Sequence, residues 1–473
     1  MYIFMYYFTR RYKVLDLFWI LLMKNFSAVI LAAGSGARMK SSLPKVMHKL
    51  SGKPLVEWVI DAASTLKPDN IVVVLGHGAK IVEEYLSGSN VKFVYQKEQL
   101  GSAHAVMQAE KVLKNYSGNI LVINGDVPLI KSSTLLSLMK NNEKTNSAVT
   151  VLSAKVENPF GYGRIVRKDG FLEKISEEKD SNLIEKLIKE INSGVYCFDK
   201  NLWQAISKVK QNNAKKEYYL TDTIAILKEF GKKVSLITVK DEYEVKGINN
   251  RVELSQAEAI LKNNKIKELL DKGITFVDAT NVYISYDAKI GSDTVIYPGV
   301  FIDKGVSIGK KCVIKGTSYI IDSKIGDEST VLYSYVKGAV IDKKVKIGPF
   351  AHIRQESVLK ENVGIGNFSE IKKAVIAKNS QVKHLSYIGD ANVGKDVNIG
   401  AGTITCNYDG EKKHQTIIGS KSFVGSNVNF VAPVRVGFGA LIAAGSTITN
   451  DVPSGKLAIA RARQELKSRK TCK

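Results

Sequence analysis

Hydrophobic and polar positions follow one rule in the first half of the chain and another in the second. From Phe26 to about Arg251, short apolar runs alternate with helical stretches. The runs Ala28–Ala33, Ile71–Leu75, Val91–Tyr95, Ile120–Ile123, Ala148–Leu152, Gly194–Phe198 and Val234–Val239 predict strands, with helices such as Leu55–Thr65 between them. That order predicts a mostly parallel α/β sheet, whose ligands sit at the carboxyl ends of the strands. Val252 to Lys272 has apolar residues at Leu254, Ala257, Ile260 and Leu261 and predicts a connecting helix.

Beyond it the period lengthens to six. Ile290, Ile296, Ile302, Ile308, Ile314 and Ile320 form one run; Ile341, Ile347, Ile353, Leu359, Ile365 and Ile371 form a second; Ile418, Val424, Phe430, Val436, Ile442 and Ile448 form a third. An amphipathic helix would need a spacing near 3.6 residues. A hexapeptide repeat predicts a parallel β-helix, in which stacked coils bury one residue per repeat. Two segments read as interruptions between ladder runs, Gln381–Asp390 and a stretch beginning at Cys406 that leaves the coil and returns near Ile417. The resulting division is a terminal extension over residues 1–24, an α/β domain over 25–252, a helical linker over 253–273 and a β-helix over 274–473.

The loop after the first strand carries the first candidate chemistry. Gly34-Ser35-Gly36 lets the backbone turn sharply and approach a ligand, and Arg38 and Lys45 add two cations. Bare amides beside cations suit a nucleotide phosphate; an ordinary strand-to-helix turn is the alternative. Met39 stands where a dinucleotide fingerprint needs its third glycine, and no Gly-Lys-Ser/Thr follows Gly34 as a P-loop requires. Asn124-Gly125-Asp126 follows another strand and offers a carboxylate to Mg²⁺ or a turn-forming Asp. Gln96 and Gln99, with Gly101 and Ser102, offer amides to a pyrimidine edge, while His104 reads as structural. In the repeat half His384 is a candidate general base, or else a coil-surface histidine.

The 473 residues carry 69 Lys and Arg against 46 Asp and Glu, a net charge of +23. The excess is spread along the chain without a basic run or an aromatic-interleaved patch, which points to anionic small substrates and away from nucleic acid. Cys197, Cys312, Cys406 and Cys472 have no metal-ligand spacing and suggest no disulfide framework, which fits a reducing cytoplasm. Val14 to Met23 is apolar apart from Asp16 and too short to span a bilayer. We read it as upstream of a functional start at Met23, with a peripheral membrane anchor as the competing reading.

Leu31 to Met39 followed by Leu43-Pro44-Lys45 resembles the signature of the sugar-1-phosphate nucleotidylyltransferases. The hexapeptide runs resemble left-handed β-helix acyltransferases, which are usually trimeric. Both halves in this order, with Asn398 to Gly410, resemble the bifunctional bacterial enzymes that make UDP-N-acetylglucosamine for peptidoglycan and lipopolysaccharide. The resemblance implies a Rossmann-like uridylyltransferase domain followed by a left-handed β-helix that acetylates glucosamine-1-phosphate, in a cytoplasmic homotrimer without membrane contact. It implies Leu31, Ala32, Ala33, Gly34, Lys45, Gln96, Gly101, Ser102, Gly163, Glu177, Asn192 and Asn249 for UTP and the UDP-sugar, Asp126 and Asn249 for Mg²⁺, and Arg38 and Lys45 as catalytic cations. In the coil it implies His384 as catalytic base, oriented by Glu370. Arg354, Lys372, Tyr387 and Asn398 would take the sugar phosphate. Asn407, Tyr408, Ser426, Ala444 and Arg461 would take acetyl-CoA, with Asn407 also near the sugar and a backbone donor near Ser426 facing the oxyanion. One departure is Arg354-Gln355-Glu356, where Arg-Pro-Gly is usual. Two other readings stand beside this one, a nucleotidylyltransferase with a non-catalytic coil and a non-catalytic scaffold.

Overall fold

The computed structural model describes residues 25–467. Val14–Met23 and Cys472 lie outside them. The chain divides into two compact units, one ending at Glu258 and the other beginning at Ala259, and the division falls inside the helix Arg251–Asp271.

The first unit is built on one sheet. Its main path runs Val234–Val239, Val149–Lys155, Glu190–Phe198, Asn119–Asn124, Phe26–Ala32, Asn70–Leu75, Lys92–Tyr95. Phe26–Ala32 pairs in parallel with both neighbours, and its residues are buried on both faces except the half-buried Leu31. Two-sided burial explains why these strands read as unbroken apolar runs rather than alternating ones. Glu190–Phe198 departs from the expected parallel order, because it is antiparallel to both neighbours. Reversal brings its first residues, rather than its last, to the edge where the parallel strands end. A hairpin, Arg164–Lys168 with Phe171–Ser176, joins this strand through Ile191 and Arg164. Its charged faces hide it from an apolar-run search. The signal for it is Asp169-Gly170, both with positive φ (53° and 82°), as a two-residue hairpin turn requires.

The second unit stacks its described strands into three parallel sheets of 11, 10 and 9 strands, each strand up to the last coil pairing with the one three ahead. Ile296, Ile302, Ile314, Ile320, Ile353 and Ile371 are fully buried, one per strand, in a single core. The gaps between the hexad runs are corners one residue short: the core passes from Ile320 to Ile325, from Val331 to Val336 and on to Ile341 without losing its inward register. Gln381–Asp390, read as an interruption, is a regular part of the coil; Val382 and Ile388 are buried in the same core. The excursion after Cys406 is real, and the ladder resumes at Thr416–Ile418. Since each coil buries the same position, truncating one rung opens a cavity its neighbours cannot close. Ile371→Ala should therefore lower the unfolding free energy of the coil by about 2–5 kcal/mol in denaturant titration; an unchanged midpoint would show that the ladder is not the core.

Candidate active sites

The first site lies at the carboxyl ends of the central parallel strands. A cavity of about 350 Å³ is lined by Ala33, Gly34, Lys45, Gln96, Gly101 and Ser102 among others. A neighbouring one of about 270 Å³ is lined by Arg38, Gly163, Glu177, Asn192 and Asn249 among others. Leu31, Ser102, Asn124 and Asp126 line both. Of the residues expected here, Ala32 lines neither cavity and is buried.

Gly36 takes a left-handed conformation (φ 64°), and a Cβ there would stand 2.6 Å from that of Lys45. The loop can thus fold against Lys45, whose ammonium is hydrogen-bonded to Asp126 Oδ2 and lies 3.1 Å from Asn249 Oδ1. Asn249 Nδ2 donates to Gly247 O at 3.2 Å, which turns Oδ1 toward the shared cation. A carboxylate oxygen and a carboxamide oxygen converging on one positive charge suit a hard cation such as Mg²⁺, which takes few protein oxygens and fills the rest of its shell with water and phosphates.

Gln96 Nε2 donates to Gly101 O at 3.0 Å and lies 3.2 Å from His104 Nδ1, so His104 braces this loop. At Gly101 φ is 112°, and a Cβ would stand 2.5 Å from Tyr218 O; only glycine fits. On the other cavity's wall, burial raises the carboxyl pKa of Glu177, and a hydrogen bond from Thr221 Oγ1 (3.2 Å) works against it. Asn192 Nδ2 donates to Tyr196 OH at 2.7 Å.

The second site is on the coil. His384 is exposed and lies in register with Asn367, one coil earlier, with Nδ1 and Asn367 Oδ1 2.7 Å apart. A carboxamide oxygen only accepts, so Nδ1 is the donor, and in the neutral ring that tautomer leaves the lone pair a base needs on Nε2. Asn367 therefore holds the ring in place of Glu370, whose carboxylate pairs with Arg354 Nη1 at 2.7 Å. Counting one coil back from His384 would have found Asn367.

Tyr387 is in register with Glu370, and Lys372 is one strand above Gly389. Asp409 shapes the excursion loop: its carboxylate accepts from the amides of Glu411 (2.8 Å) and Lys412 (2.7 Å) and pairs with His414 (2.6 Å). Tyr408 bridges Lys413 across the loop. The loop brings Lys413 to Lys372, a residue sequence reasoning missed. Lys413 beside it, some desolvation and the Arg354 charge hold the Lys372 ammonium below the ordinary lysine range, while Asp390 opposes them. Three crowded cations suit a phosphate dianion. Asn407 donates to Asp390 and lies 3.4 Å from Tyr387 OH, so the structure puts it with this group. Asn398 stands in another sheet, in register with Gln381 and Phe423, and Tyr408 is exposed.

Backbone hydrogen bonds trace one corner of the coil through successive turns. Leu385 N donates to Asn367 O (3.1 Å), Gly402 N to His384 O (3.3 Å), Asn427 N to Ala401 O (2.7 Å) and Gly445 N to Ser426 O (2.8 Å). Arg461 Nη1 then donates to Ala444 O at 2.6 Å. His384, Ser426, Ala444 and Arg461 thus follow one another along a single edge, with Ala401 between the first two. The unusual Gln355-Glu356 makes a regular corner: Arg354 N still donates to Ile371 O (2.8 Å), and Glu356 accepts the left-handed conformation (φ 62°).

A family model described as MobA-like NTP transferase domain matches residues 28–218, and one described as GlmU-like, C-terminal hexapeptide, matches residues 315–399. The chain is similar to the bifunctional protein GlmU of Halalkalibacterium halodurans, 49% identical over 93% of this chain and 97% of the relative. It is 50% identical to that of Caldanaerobacter subterraneus subsp. tengcongensis over 93% of this chain and 96% of the relative. With that of Acetivibrio thermocellus the identity is 47%, over 94% and 97%.

The like-charge pair gives a direct test of the second site. Lys413→Gln should raise the Lys372 pKa toward the ordinary lysine value, read by NMR titration of labelled lysines. An unchanged Lys372 titration would show that the two ammonium groups do not share a site.

Proposed function

Because the chain belongs to the bifunctional GlmU family, we infer that its two units divide two consecutive reactions between them. The protein is an enzyme of UDP-N-acetylglucosamine biosynthesis, with glucosamine-1-phosphate N-acetyltransferase and N-acetylglucosamine-1-phosphate uridylyltransferase activities. What carries our assignment of residues is the pairing of two unlike constellations in one chain. In one, Asp126 and Asn249 oxygens share a cation. In the other, His384 has its Nδ1 bonded and heads an open edge.

In the proposed acetyl transfer, Arg354, Lys372 and Lys413 hold the phosphate of glucosamine-1-phosphate, and Tyr387 and Asn407 line the sugar. Asn398, on the neighbouring coil, takes a sugar hydroxyl. Acetyl-CoA lies along the edge from Arg461 through Ala444 and Ser426 toward His384, with Tyr408 beside it. The amine nitrogen attacks the thioester carbonyl as His384 Nε2 takes an amine proton. The C–S bond breaks, and the thiolate leaves and is protonated to free coenzyme A.

In the proposed uridylyl transfer, the loop from Leu31 to Gly34 takes the nucleotide, Gln96, Gly101 and Ser102 the uracil, and Gly163, Glu177 and Asn192 the N-acetylglucosamine. Asp126 and Asn249 would hold Mg²⁺, which neutralises phosphate charge. Arg38 and Lys45 add their charges as a sugar-phosphate oxygen attacks the α-phosphorus of UTP and pyrophosphate leaves. Lys45 is near enough to pass from the metal donors to the triphosphate.

We also propose a homotrimer. Tyr333, Phe350, Phe368 and Leu385 are exposed, one per coil, all in the left-handed conformation at the corner that leads to His384. Phe350 and Phe368 stack with centroids 5.4 Å apart. Such an apolar edge favours cover by another copy of the chain. The proposed compartment is the cytoplasm, where UTP and acetyl-CoA are available; no helix of the described residues is long and apolar enough to cross a membrane.

His384→Ala should slow thiol release by about 10²–10⁴-fold and leave pyrophosphate release from UTP and N-acetylglucosamine-1-phosphate intact. Asp126→Ala should do the reverse. Asn367→Ala should cost acetyl transfer about tenfold through a loosened ring. Loss of both activities in either folded single-site variant would overturn the two-site assignment.

A further inference from the structure

We propose that the Arg164–Glu178 ion pair is the positioning device of the sugar-binding wall of the uridylyl site and sets its affinity for N-acetylglucosamine-1-phosphate. This rests on the reading of Gly163, Glu177 and Asn192 as sugar contacts.

Arg164 is 2% exposed, the largest of the fully buried side chains. A buried guanidinium costs stability unless it is well paired, and a hydrophobic side chain of similar volume fills such a place at least as well. Its Nε finds no hydrogen-bond partner among the described residues, so the pairing is incomplete. What the pair holds is the lip of the cavity. Glu178 Oε2 accepts from the Gly161 amide at 2.9 Å and from Arg164 Nη2 at 2.7 Å. Arg164 Nη1 donates to Tyr162 O. Two successive residues of the loop are therefore pinned by one ion pair. Burial works to raise the Glu178 pKa, but the Gly161 amide and Arg164 outweigh it and hold the carboxyl below its ordinary range.

Gly161, Tyr162 and Gly163 line the cavity, whereas Arg164 and Glu178 do not. The pair acts through its neighbours. Gly163 O accepts from the Asn192 amide at 2.8 Å, which ties the pinned loop to a second sugar-wall residue. A Cβ on Gly163 would stand 3.3 Å from Glu177 Oε1, so the same loop abuts the third. Glu178 follows Glu177 directly, and Arg164 follows Gly163. The ion pair thus sits behind all three contacts and fixes their spacing without touching the substrate.

The test is steady-state pyrophosphate release by the full chain, with each substrate varied in turn. Glu178→Ala should raise the KM for N-acetylglucosamine-1-phosphate about tenfold while the KM for UTP stays within about twofold. Glu178→Gln, which keeps an acceptor for both donors, should recover most of that loss. An unchanged sugar KM in Glu178→Ala, or a rise of both KM values together, would overturn the proposal. Asn192→Ala serves as the reference. If it raises the sugar KM and Glu178→Ala does not, the positioning role alone falls; if it leaves the sugar KM unchanged, the sugar-wall reading falls and the proposal with it.

Discussion

Parallel strand pairing in strict register is the constraint on which both sites depend. In the first unit it lines up the ends of the strands Phe26–Ala32, Asn70–Leu75, Lys92–Tyr95 and Asn119–Asn124 at one edge, and the loops after them carry Gly34, Gln96 and Asp126. In the second unit it repeats coil after coil, so a side chain at a given position stands over its counterpart one turn away. Asn367 reaches His384, and Tyr387 stands beside Glu370, for that reason alone. A one-residue slip would turn Ile371 outward and Lys372 inward, losing core and site together.

The coil tolerates conformations that most chains avoid, and it spends them at the corners. Tyr333, Phe350, Glu356, Phe368 and Leu385 all have positive φ without being glycine. Each such corner costs free energy that the buried ladder must offset. The coil gains a sharp turn on every edge and a straight row of outward groups on either side. At one such corner the exposed apolar row that ends at Leu385 stands beside the row that carries His384.

Charge is distributed by the same logic. The net charge of +23 says little by itself. It acquires meaning where cations crowd, as Lys372 does against Lys413 and near Arg354. That cluster suits an anion, whereas Lys45 in the first unit is already paired with Asp126; the substrates of both reactions are phosphates. The buried Arg164 is the exception, paired inside the protein and committed to shape rather than to substrate.

Much of this was legible in the chain itself. The Ile and Val period gave away the coil, because one position per repeat must be buried whatever the corner holds. It misled at Gln381–Asp390, because the steps on either side, Ile371 to Ile376 and Ile388 to Val393, are one residue short and hide an inward register that survives. The strand runs were legible because parallel strands buried on both faces are apolar throughout. The Arg164–Ser176 hairpin was not, since its strands carry charge and only Asp169-Gly170 marks them. Cavity-lining residues were legible where a motif is continuous, as from Leu31 to Lys45. Asn367, Lys413 and Glu178 were not, because their partners lie 14 to 41 residues away in sequence and meet only through the register, the excursion loop and the hairpin.

The most direct test of the central claim is one incubation of the pure protein with glucosamine-1-phosphate, acetyl-CoA, UTP and Mg²⁺, with products read by mass spectrometry. UDP-N-acetylglucosamine should form only when all four are present, with coenzyme A and pyrophosphate alongside. If the product forms only when N-acetylglucosamine-1-phosphate is supplied ready-made, the edge headed by His384 is not an acetyltransferase site and the two-reaction account is contradicted.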